Sequence, residues 1–448
     1  MTKNSLSVIA QLTLLLALSS AAQAQTAENV TVDFSADQGA VTYRASGFLS
    51  GMNSVSPSNS SVTPMKARLF RNDALWAQDT NTYSRVNGLG ATAMWILGDS
   101  WIQNYGGFNP SGARTVSAGT ISNWNAMVAQ IVNLARSNGQ VYQWDIWNEP
   151  DISVFWTGTE AEYQAMWQNA VNTIRGIDSS QVIVGPSTCC NNGWATDLLV
   201  FAKANSVLPN IFDVHEFGGP ASLISDVASW KTYLAANEPG ITLVDNSEII
   251  DQSSTYTAGT VLQYLAAVEH AGVNAVARSC WSTADCAQTA APNLDGLTNN
   301  GLIAAWYAYQ AYANITGRLV GVTPTVNVDG VAGQDSTLQQ AYSVFGRNAT
   351  SGTINVTFAS ISSSASYLTA TGSIHVNAFL LQNDNGSGSS GPVQIVNTDY
   401  TVSADQISVV IPNLGSNDVT IIQLTPGAGA VSSTTKPKPP GNLTVVVN

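Results

Sequence analysis

Between residues 45 and 318, short apolar segments alternate with longer segments whose apolar residues recur every three or four positions. The short segments have the length of buried β-strands, and the longer ones have the periodicity of amphipathic helices. Strands that alternate with helices form a parallel sheet, and eight of them predict a closed (β/α)8 barrel. The predicted strands, numbered one to eight in chain order, are Ser46–Asn53, Met65–Arg71, Ala91–Leu97, Val141–Trp147, Val182–Pro186, Ile211–His215, Ile241–Asn246 and Ala275–Trp281.

After Leu319 the helical periodicity ends, and short segments of alternating apolar and polar residues are separated by Gly, Ser and Asn. This pattern over residues 319–426 predicts an accessory all-β sandwich. The run Val30–Phe34 shows the same alternation. Residues 25–44 are therefore predicted to supply a strand that joins the sandwich.

The two ends of the chain differ from the rest in composition. Lys3 precedes an apolar run, and Ala22-Gln23-Ala24 fits a signal-peptidase cleavage pattern, so residues 1–24 are interpreted as a secretory signal peptide. The apolar run is too short for a membrane span, and we expect a secreted protein, either extracellular or periplasmic. Residues 427–448 are rich in Ser, Thr and Pro and are predicted to form a flexible linker tail.

The 448 residues carry a formal net charge of −13, although only 10% of them are charged. An acidic surface with few charges argues against nucleic acids and anionic membranes as partners. It is compatible with an uncharged substrate such as a carbohydrate. The composition gives no indication of the oligomeric state.

Four cysteines, Cys189, Cys190, Cys280 and Cys286, permit three disulfide pairings. We favour a local Cys280–Cys286 bridge, with Cys189 and Cys190 either bridged to each other or free. None of the three histidines has ligand-like spacing to the cysteines, so we expect no metal site and no cofactor. The G-x-S-x-G elbow that a serine hydrolase would need is absent from the sequence.

Two glutamates follow predicted strands at the end where barrel enzymes carry their chemistry. Asn148-Glu149-Pro150 follows strand four, and Ser247-Glu248 follows strand seven. Glycoside hydrolysis needs two carboxylates that flank one bond. Because the strand ends of a barrel face one cavity, Glu149 and Glu248 are the predicted catalytic pair.

The residues around strand four resemble glycoside hydrolase family 39, within the large clan of barrels that carry an Asn-Glu motif. The resemblance rests on Ile146-Trp147-Asn148-Glu149-Pro150-Asp151, Phe155-Trp156, Tyr163 and Val182–Ser187. The order of a barrel and a β-sandwich is similar too. The resemblance implies a retaining double displacement, with Glu149 as acid/base and Glu248 as nucleophile. It also implies that Asn148 binds the sugar 2-hydroxyl next to the nucleophile.

Glu149 has a simpler interpretation, in which a glutamate at a strand end caps the following helix. A second copy of the tripeptide, Asn237-Glu238-Pro239, lies before strand seven, at the wrong end of the strand and without preceding aromatic residues. We interpret this copy as an ordinary loop. Position at the end of strand four, among tryptophans, is therefore what distinguishes Glu149.

The nucleophile has an alternative as well. The family usually has an aromatic residue directly after the nucleophile, whereas Glu248 is followed by Ile249, and Glu216 after strand six is the rival carboxylate. His215 ends strand six, where the clan often carries a residue that supports the nucleophile. The alternative for His215 is a histidine whose hydrogen bonds are satisfied within the core.

Three further side chains near strand ends are predicted to contact the substrate. Arg71 ends strand two and would orient the nucleophile or a sugar hydroxyl, with a structural ion pair as the alternative. Trp281 ends strand eight, where the clan often places an aromatic floor for the sugar, with a core tryptophan as the alternative. Trp95, together with Trp101 near Asp99, would line the cleft.

The resemblance favours a β-xylosidase-like enzyme that acts on a plant or microbial polysaccharide or oligosaccharide. An endo-acting glycanase, with an open cleft lined by Trp101, Trp156 and Trp194, is one alternative. Families of β-glucuronidases and arabinofuranosidases share the same pair of glutamates and provide another. A non-catalytic carbohydrate-binding barrel protein is the alternative from a different class.

Overall fold

The computed structural model describes residues 27–72, 80–98, 120–250, 254–279, 292–298 and 301–427. Several of the predictions concern positions outside these ranges. They are the signal peptide of residues 1–24, the side chains of Asp99, Trp101 and Trp281, the pair Cys280 and Cys286, and the tail beyond Gly427.

Eight parallel strands close into a barrel, which confirms the predicted (β/α)8 architecture. They follow one another around the barrel in chain order, and Phe48 of the first strand pairs with Arg278 of the last. Strand β1 (Ala27–Ala40) precedes the barrel and belongs to a second sheet. The barrel strands are β2 (Gly47–Leu49), β3 (Leu69–Asn72), β4 (Thr92–Leu97), β5 (Gln143–Ile146), β6 (Val182–Thr188), β7 (Ile211–Val214), β8 (Val244–Ile249) and β9 (Val276–Arg278).

Amphipathic helices surround the barrel, and their apolar faces cover the outer side of the strands. The longer helices are α1 (Thr80–Gly88), α2 (Ile121–Ser137), α3 (Glu160–Ile177), α4 (Asn192–Ala204), α5 (Pro220–Asn237), α6 (Ala258–Ala271) and α7 (Ala304–Ala313), and short helical turns cover Asn59–Val62, Thr63–Met65, Ile361–Ser364 and Ser366–Thr369. Helix α3 begins at a capping box, in which Thr159 and Glu162 satisfy each other's backbone N–H groups. None of the helices in the described ranges has the length and apolar character needed to cross a bilayer.

The strands separate two hydrophobic layers. A small cluster fills the inside of the barrel and consists of Leu49, Leu69, Met94, Ile96, Val184, Ile211 and Ala277. Their neighbours along the strands, such as Phe48 and Phe70, pack outwards against the helices in the main core. Because successive strand residues point to opposite faces, polar residues that alternate with this outer layer, such as Arg71 and Asp145, face the inside of the barrel.

The second sheet has nine strands, in the order β15-β14-β17-β12-β11-β10-β1-β13-β16. Only the pair β1 and β13 is parallel, and residues from both ends of the sheet, such as Val356 and Ile374, share one core. The sheet therefore folds over on itself in the manner of a sandwich. Besides β1, its strands are β10 (Arg318–Thr323), β11 (Val328–Asp335), β12 (Gln340–Arg347), β13 (Gly352–Ala359), β14 (Ile374–Leu381), β15 (Val393–Tyr400), β16 (Gln406–Leu414) and β17 (Val419–Pro426).

Helix α6 joins the barrel to the sheet. Gly259 in its first turn donates its N–H to Asn417 O (2.7 Å). A Cβ atom at this glycine would lie 2.1 Å from Arg347 O, so only a glycine allows the helix to approach the sheet this closely. The contact fixes the accessory sheet against the side of the barrel.

Candidate active site

The two predicted catalytic glutamates lie at the carboxyl-terminal end of the barrel. Glu149 follows β5, and Glu248 lies within β8, which extends past the predicted end of strand seven. Their exposed fractions are 6% and 3%. Arg71 on β3 and His215 directly after β7 are buried beside them. The structure therefore brings together four residues that were selected from the sequence.

The backbone around Glu149 is held in left-handed conformations. The φ angle is +72° at Trp147 and +42° at Glu149, and it is +57° at Ser187 on β6. Such conformations are unfavourable for residues other than glycine, and they persist where the surrounding structure holds them. Glu149 N donates to Ser187 O (2.9 Å), so the turn that aims the glutamate is pinned to the next strand.

Aromatic residues support this turn from behind. Trp147 packs edge-on against Trp156, and Trp156 packs edge-on against Tyr163. The indole N–H groups of Trp147 and Trp156 donate to Phe155 O and Thr159 O, both at 3.1 Å. Trp156 is only 3% exposed. Its contacts therefore support the loop that follows Glu149.

The two glutamates are close enough to act on one bond. One carboxylate oxygen of Glu149, one of Glu248 and a ring nitrogen of His215 all lie within 4.8 Å of one another. A retaining pair of carboxyl groups is separated by about 5–5.5 Å, whereas an inverting pair is separated by about 6.5–9.5 Å to leave room for water. Both carboxylates therefore lie within reach of a single bond.

Arg71 is the cation of the site. Its guanidinium donates to Glu248 Oε1 (2.7 Å), to Asn148 Oδ1 (2.7 Å) and to Asp145 Oδ2 (2.8 Å). Burial lowers the pKa of Arg71, but the charges of Asp145 and Glu248 outweigh it and raise the pKa. The guanidinium is therefore a permanent charge, and it places Glu248 and Asn148 side by side.

His215 contacts both glutamates but lies nearer to Glu149. Its Nδ1 atom is 2.8 Å from Glu149 Oε1 and 3.8 Å from Glu248 Oε1. Burial lowers the pKa of His215, but the charge of Glu248 and the hydrogen bond to Glu149 outweigh it, and the net pKa is raised. The sequence interpretation assigned His215 to the nucleophile, whereas its hydrogen bond goes to Glu149.

Three aspartates lie beneath the glutamates and were not among the residues predicted from the sequence. Asp145, Asp213 and Asp245 occupy inward positions on β5, β7 and β8 and are fully buried. Burial and the charge of Asp213 raise the pKa of Asp245 to about 8. Burial raises the pKa of Asp145 to about 6, although Arg71 opposes the shift. The available signal was an acidic residue inside an apolar strand, as in Phe212-Asp213-Val214.

Glu216, the alternative nucleophile, is directed away from the pair. Its Oε1 atom accepts from Gly218 N (2.6 Å). Burial and a hydrogen bond with Asp226 of α5 raise the pKa of Glu216 to about 7. The carboxyl group therefore faces α5, and Glu248 is the carboxylate that lies beside Glu149.

The prediction that Trp95 lines the cleft is wrong. Met94 and Ile96, its neighbours on β4, belong to the cluster inside the barrel, so the Trp95 side chain points outwards. It packs against Tyr142 and Trp144, with ring centroids 5.0 and 5.8 Å away. The period of two along a strand decides the face, and a shift of one residue exchanges the two faces.

Adjacent cysteines follow β6, close to the loop after Glu149. The Sγ atoms of Cys189 and Cys190 are bonded to each other. The carboxylate of Asp151 accepts from Cys190 N and Asn191 N, each at 2.7 Å. These bonds tie the loop after β5 to the loop after β6, and thereby help to hold the turn that carries Glu149.

Glu149, His215 and Glu248 also form one of two groups among the described residues with the spacing of possible metal ligands, the other being Asp151 with the bonded pair Cys189 and Cys190. The guanidinium of Arg71 already bonds Glu248 at 2.7 Å, and a second cation there would be repelled by it. The donor set therefore fits a pair of reacting carboxylates better than a metal centre.

No family model matches the chain. A β-xylosidase from Caldicellulosiruptor saccharolyticus is 27% identical to it over 100 residues, which are 21% of this chain and 20% of that protein. The match therefore spans about a fifth of the length of that relative.

Solved structures match nearly the whole chain. N2152 from Neocallimastix frontalis superposes with a TM-score of 0.76 at 23% identity, covering 90% of this chain and 100% of that one. A monomeric β-xylosidase from Caulobacter crescentus CB15 has a TM-score of 0.68 at 16% identity, with 89% and 100% covered. A GH39 enzyme from Xanthomonas axonopodis pv. citri has a TM-score of 0.67 at 14% identity, with 92% and 100% covered. At these identities the likeness shows the fold, and at that level it confirms the resemblance to glycoside hydrolase family 39.

Proposed function

We propose that this protein is a retaining glycoside hydrolase in which Glu149 is the acid/base and Glu248 is the nucleophile. The observation that carries the proposal is the pair of carboxylate oxygens within 4.8 Å of each other. This separation is typical of a double displacement, and the pair lies where barrel enzymes hold their reactive groups. The fold shared with solved glycoside hydrolase structures supports the same assignment.

The two glutamates would act in two steps. Glu248 attacks the anomeric carbon while Glu149 protonates the departing oxygen, and a covalent glycosyl-enzyme forms. Glu149 then removes a proton from water, which releases the sugar with retained configuration. Arg71 keeps Glu248 oriented through its 2.7 Å hydrogen bond, and it holds Asn148 in position to bind a sugar hydroxyl beside the nucleophile.

The substrate class we propose is a β-xyloside or a short chain of the xylan type. Two of the similar proteins bear the name β-xylosidase. A panel of aryl glycosides that differ only in the sugar would identify the preferred glycone, and cleavage within a long polymer would favour the endo-acting enzyme.

Chemical rescue tests the nucleophile. Glu248→Ala should abolish hydrolysis of an aryl β-xyloside, and azide should restore turnover by taking the place of the missing carboxylate. The product should be a glycosyl azide of inverted configuration, identified by NMR. Glu216→Ala is the matched control, because its carboxyl group faces α5, and it should retain activity without azide. Rescue of the Glu216 variant alone would transfer the nucleophile to that residue.

We also propose that the protein is exported. The proposal rests on the apolar run and the cleavage pattern in residues 1–24. Amino-terminal sequencing of protein recovered outside the cytoplasm should give a mature chain that begins near Gln25. A chain that keeps Met1 would contradict the proposal.

A further inference from the structure

Two buried serine hydroxyls connect the active site to the aspartates beneath it. Ser187 Oγ lies 2.6 Å from Asp145 Oδ1 and 2.8 Å from Asp213 Oδ2. Ser247 Oγ lies 2.5 Å from the same oxygen of Asp213 and 3.3 Å from His215 Nε2. The other nitrogen of this imidazole contacts the acid/base, so an unbroken chain of polar contacts runs from the buried aspartates to the reacting group.

The number of protons limits the direction of these hydrogen bonds. A hydroxyl has a single proton to donate, so Ser247 cannot donate to Asp213 and to His215 at the same time. Asp213 accepts at both of its oxygens, because its Oδ1 accepts from Ser247 N (2.8 Å) while its Oδ2 accepts from the Ser247 hydroxyl. The 2.5 Å contact to Ser247 Oγ has the length of a hydroxyl–carboxylate bond. The backbone N–H and the hydroxyl of Ser247 both donate to Asp213, so the hydroxyl proton of Ser247 lies on the side of Asp213.

Asp213 as the acceptor fixes the direction of the remaining contacts. Ser247 donates its proton to Asp213 and can then only accept a hydrogen bond from His215 Nε2. We propose that Asp213 is a positioning residue of the active site: through the Ser247 hydroxyl it keeps the proton of neutral His215 on Nε2, so that Nδ1 faces Glu149 as an acceptor. The proposal rests on the proposed role of Glu149.

This arrangement favours the form of Glu149 that a general acid needs. An accepting Nδ1 stabilises a protonated carboxyl group, and a general acid must hold its proton until the substrate oxygen takes it. The opposite tautomer would donate from Nδ1 and stabilise the carboxylate of Glu149 instead. The tautomer of His215 therefore sets the pH range in which Glu149 is protonated and can act as the general acid.

The chain of contacts from Asp213 through Ser247 and His215 to Glu149 is called the relay below. Charged groups face it from three barrel strands and the loop after β5. They are Arg71 on β3, Asp145 on β5, Glu149 after β5, and Asp245 and Glu248 on β8. Burial lowers the pKa of His215, but Glu248 and the bond to Glu149 raise it, so the ring takes a second proton more readily than an ordinary histidine. A doubly protonated ring still donates from Nε2 to Ser247. The bond from Nε2 to Ser247 therefore keeps its direction in both charge states, whereas Nδ1 is an acceptor for Glu149 in the neutral ring alone.

Nitrogen-15 NMR of the imidazole rings measures the tautomer directly in the full-length protein. The chain has three histidines, and the other two act as references. His270 Nε2 lies 3.0 Å from Asp329, and His375 Nδ1 lies 2.7 Å from Asp399, so these two rings should show opposite tautomers. His270→Gln and His375→Gln assign the signals. At a pH above the titration of the rings, His215 should show the Nε2–H pattern.

Two variants remove the relay in different ways. Ser247→Ala deletes the acceptor for Nε2–H, and Asp213→Asn lets an amide donate to Ser247, which then donates to the ring. In both variants we expect His215 to change to the Nδ1–H pattern, and the alkaline limb of kcat/KM to move to lower pH by about one unit, a tenfold effect in that limb. Ser46→Ala is the matched control: this serine is also fully buried, but its hydroxyl donates to Met65 O (2.7 Å).

The results distinguish the positioning role of Asp213 from the proposed catalytic role of Glu149. A wild-type ring in the Nδ1–H form, or a Ser247→Ala variant with unchanged tautomer and unchanged pH profile, would overturn the positioning role of Asp213. If Asp213→Asn fails to fold, Ser247→Ala alone decides. Full activity of Glu149→Gln would instead contradict the proposed function, and the NMR result on His215 would still stand.

Discussion

The tripeptide Asn-Glu-Pro occurs twice in this chain, at opposite ends of the barrel. The copy that contains Glu149 follows β5 at the carboxyl-terminal end. In the other copy, Asn237 is the last residue of α5 and Glu238 is its C-cap, ahead of β8 at the amino-terminal end. Both glutamates are buried, with exposed fractions of 6% and 4%. Sequence and burial are therefore the same, and only the surroundings differ.

The surroundings give the two carboxylates different chemistry. Glu149 contacts a buried imidazole and lies beside Glu248, on a backbone with a φ of +42°. Glu238 has an ordinary φ of −135° and faces Lys203 Nζ at 3.4 Å, and the side chain of that lysine is 58% exposed. A second carboxylate and a titratable ring make the first site reactive. A solvated ammonium at a helix end makes the second an ordinary ion pair.

The largest difference between the two copies should appear when each carboxylate is removed and the activity is measured. Glu149→Gln should lower kcat/KM, which reports the first step, for an unactivated xyloside by about 10²–10⁴-fold, because general acid catalysis is lost. The loss in kcat/KM should be much smaller for a dinitrophenyl xyloside, whose leaving group needs no proton in the first step. Glu238→Gln, the matched control, should keep kcat/KM within about twofold on both substrates. Equal losses on both substrates for Glu149→Gln would count against its role as the acid.

Much of the fold and part of the site follow from the sequence for a simple physical reason. The periods of strands and helices differ, so eight alternations identify the barrel, and a closed barrel brings its strand ends together. This is why Arg71, Glu149 and Glu248, which are far apart in the chain, could be selected as neighbours. The same argument set aside Glu238, because it precedes its strand.

Features that depend on the face of a strand or on contacts across the barrel could not be predicted. Trp95 lies one residue away from an inward position, and a single step along a strand turns a side chain from the cleft to the helix layer. His215 was assigned to Glu248, whereas its shorter contact is to Glu149, because a difference of 1 Å between two contacts has no trace in sequence spacing. Asp213 was missed, because its importance comes from two serines on other strands.

The amino-terminal end of β8 should make the free energy of unfolding depend on pH. Asp245, at the amino-terminal end, is fully buried, and its pKa is raised to about 8 by burial and the charge of Asp213. Between the ordinary aspartate pKa of about 4 and this value, the unfolded chain loses a proton that the folded chain keeps. The free energy of unfolding should therefore fall as pH rises through this window, by up to about 1.4 kcal/mol per pH unit from this group.

Asp245→Asn tests this contribution, because the amide imitates the neutral acid. Urea unfolding between pH 5 and pH 8 should give a flatter dependence of stability on pH for the variant than for the wild type. The variant should gain most, relative to the wild type, at the upper end of the range. Parallel curves for the two proteins would show that Asp245 is ionised in the folded state.

The smallest effect is expected at the ion pair of the second tripeptide. Lys203→Gln removes the ammonium that lies 3.4 Å from Glu238 and donates to Asn237 O at 2.5 Å. Because this lysine is mostly exposed, the loss in the free energy of unfolding should be about 0.2–1 kcal/mol, and added salt should diminish it. Activity should be unchanged, since the pair lies at the opposite end of the barrel from Glu149. A fall in kcat at constant stability would mean that the amino-terminal copy communicates with the active site, and the contrast between the two tripeptides would then have to be given up.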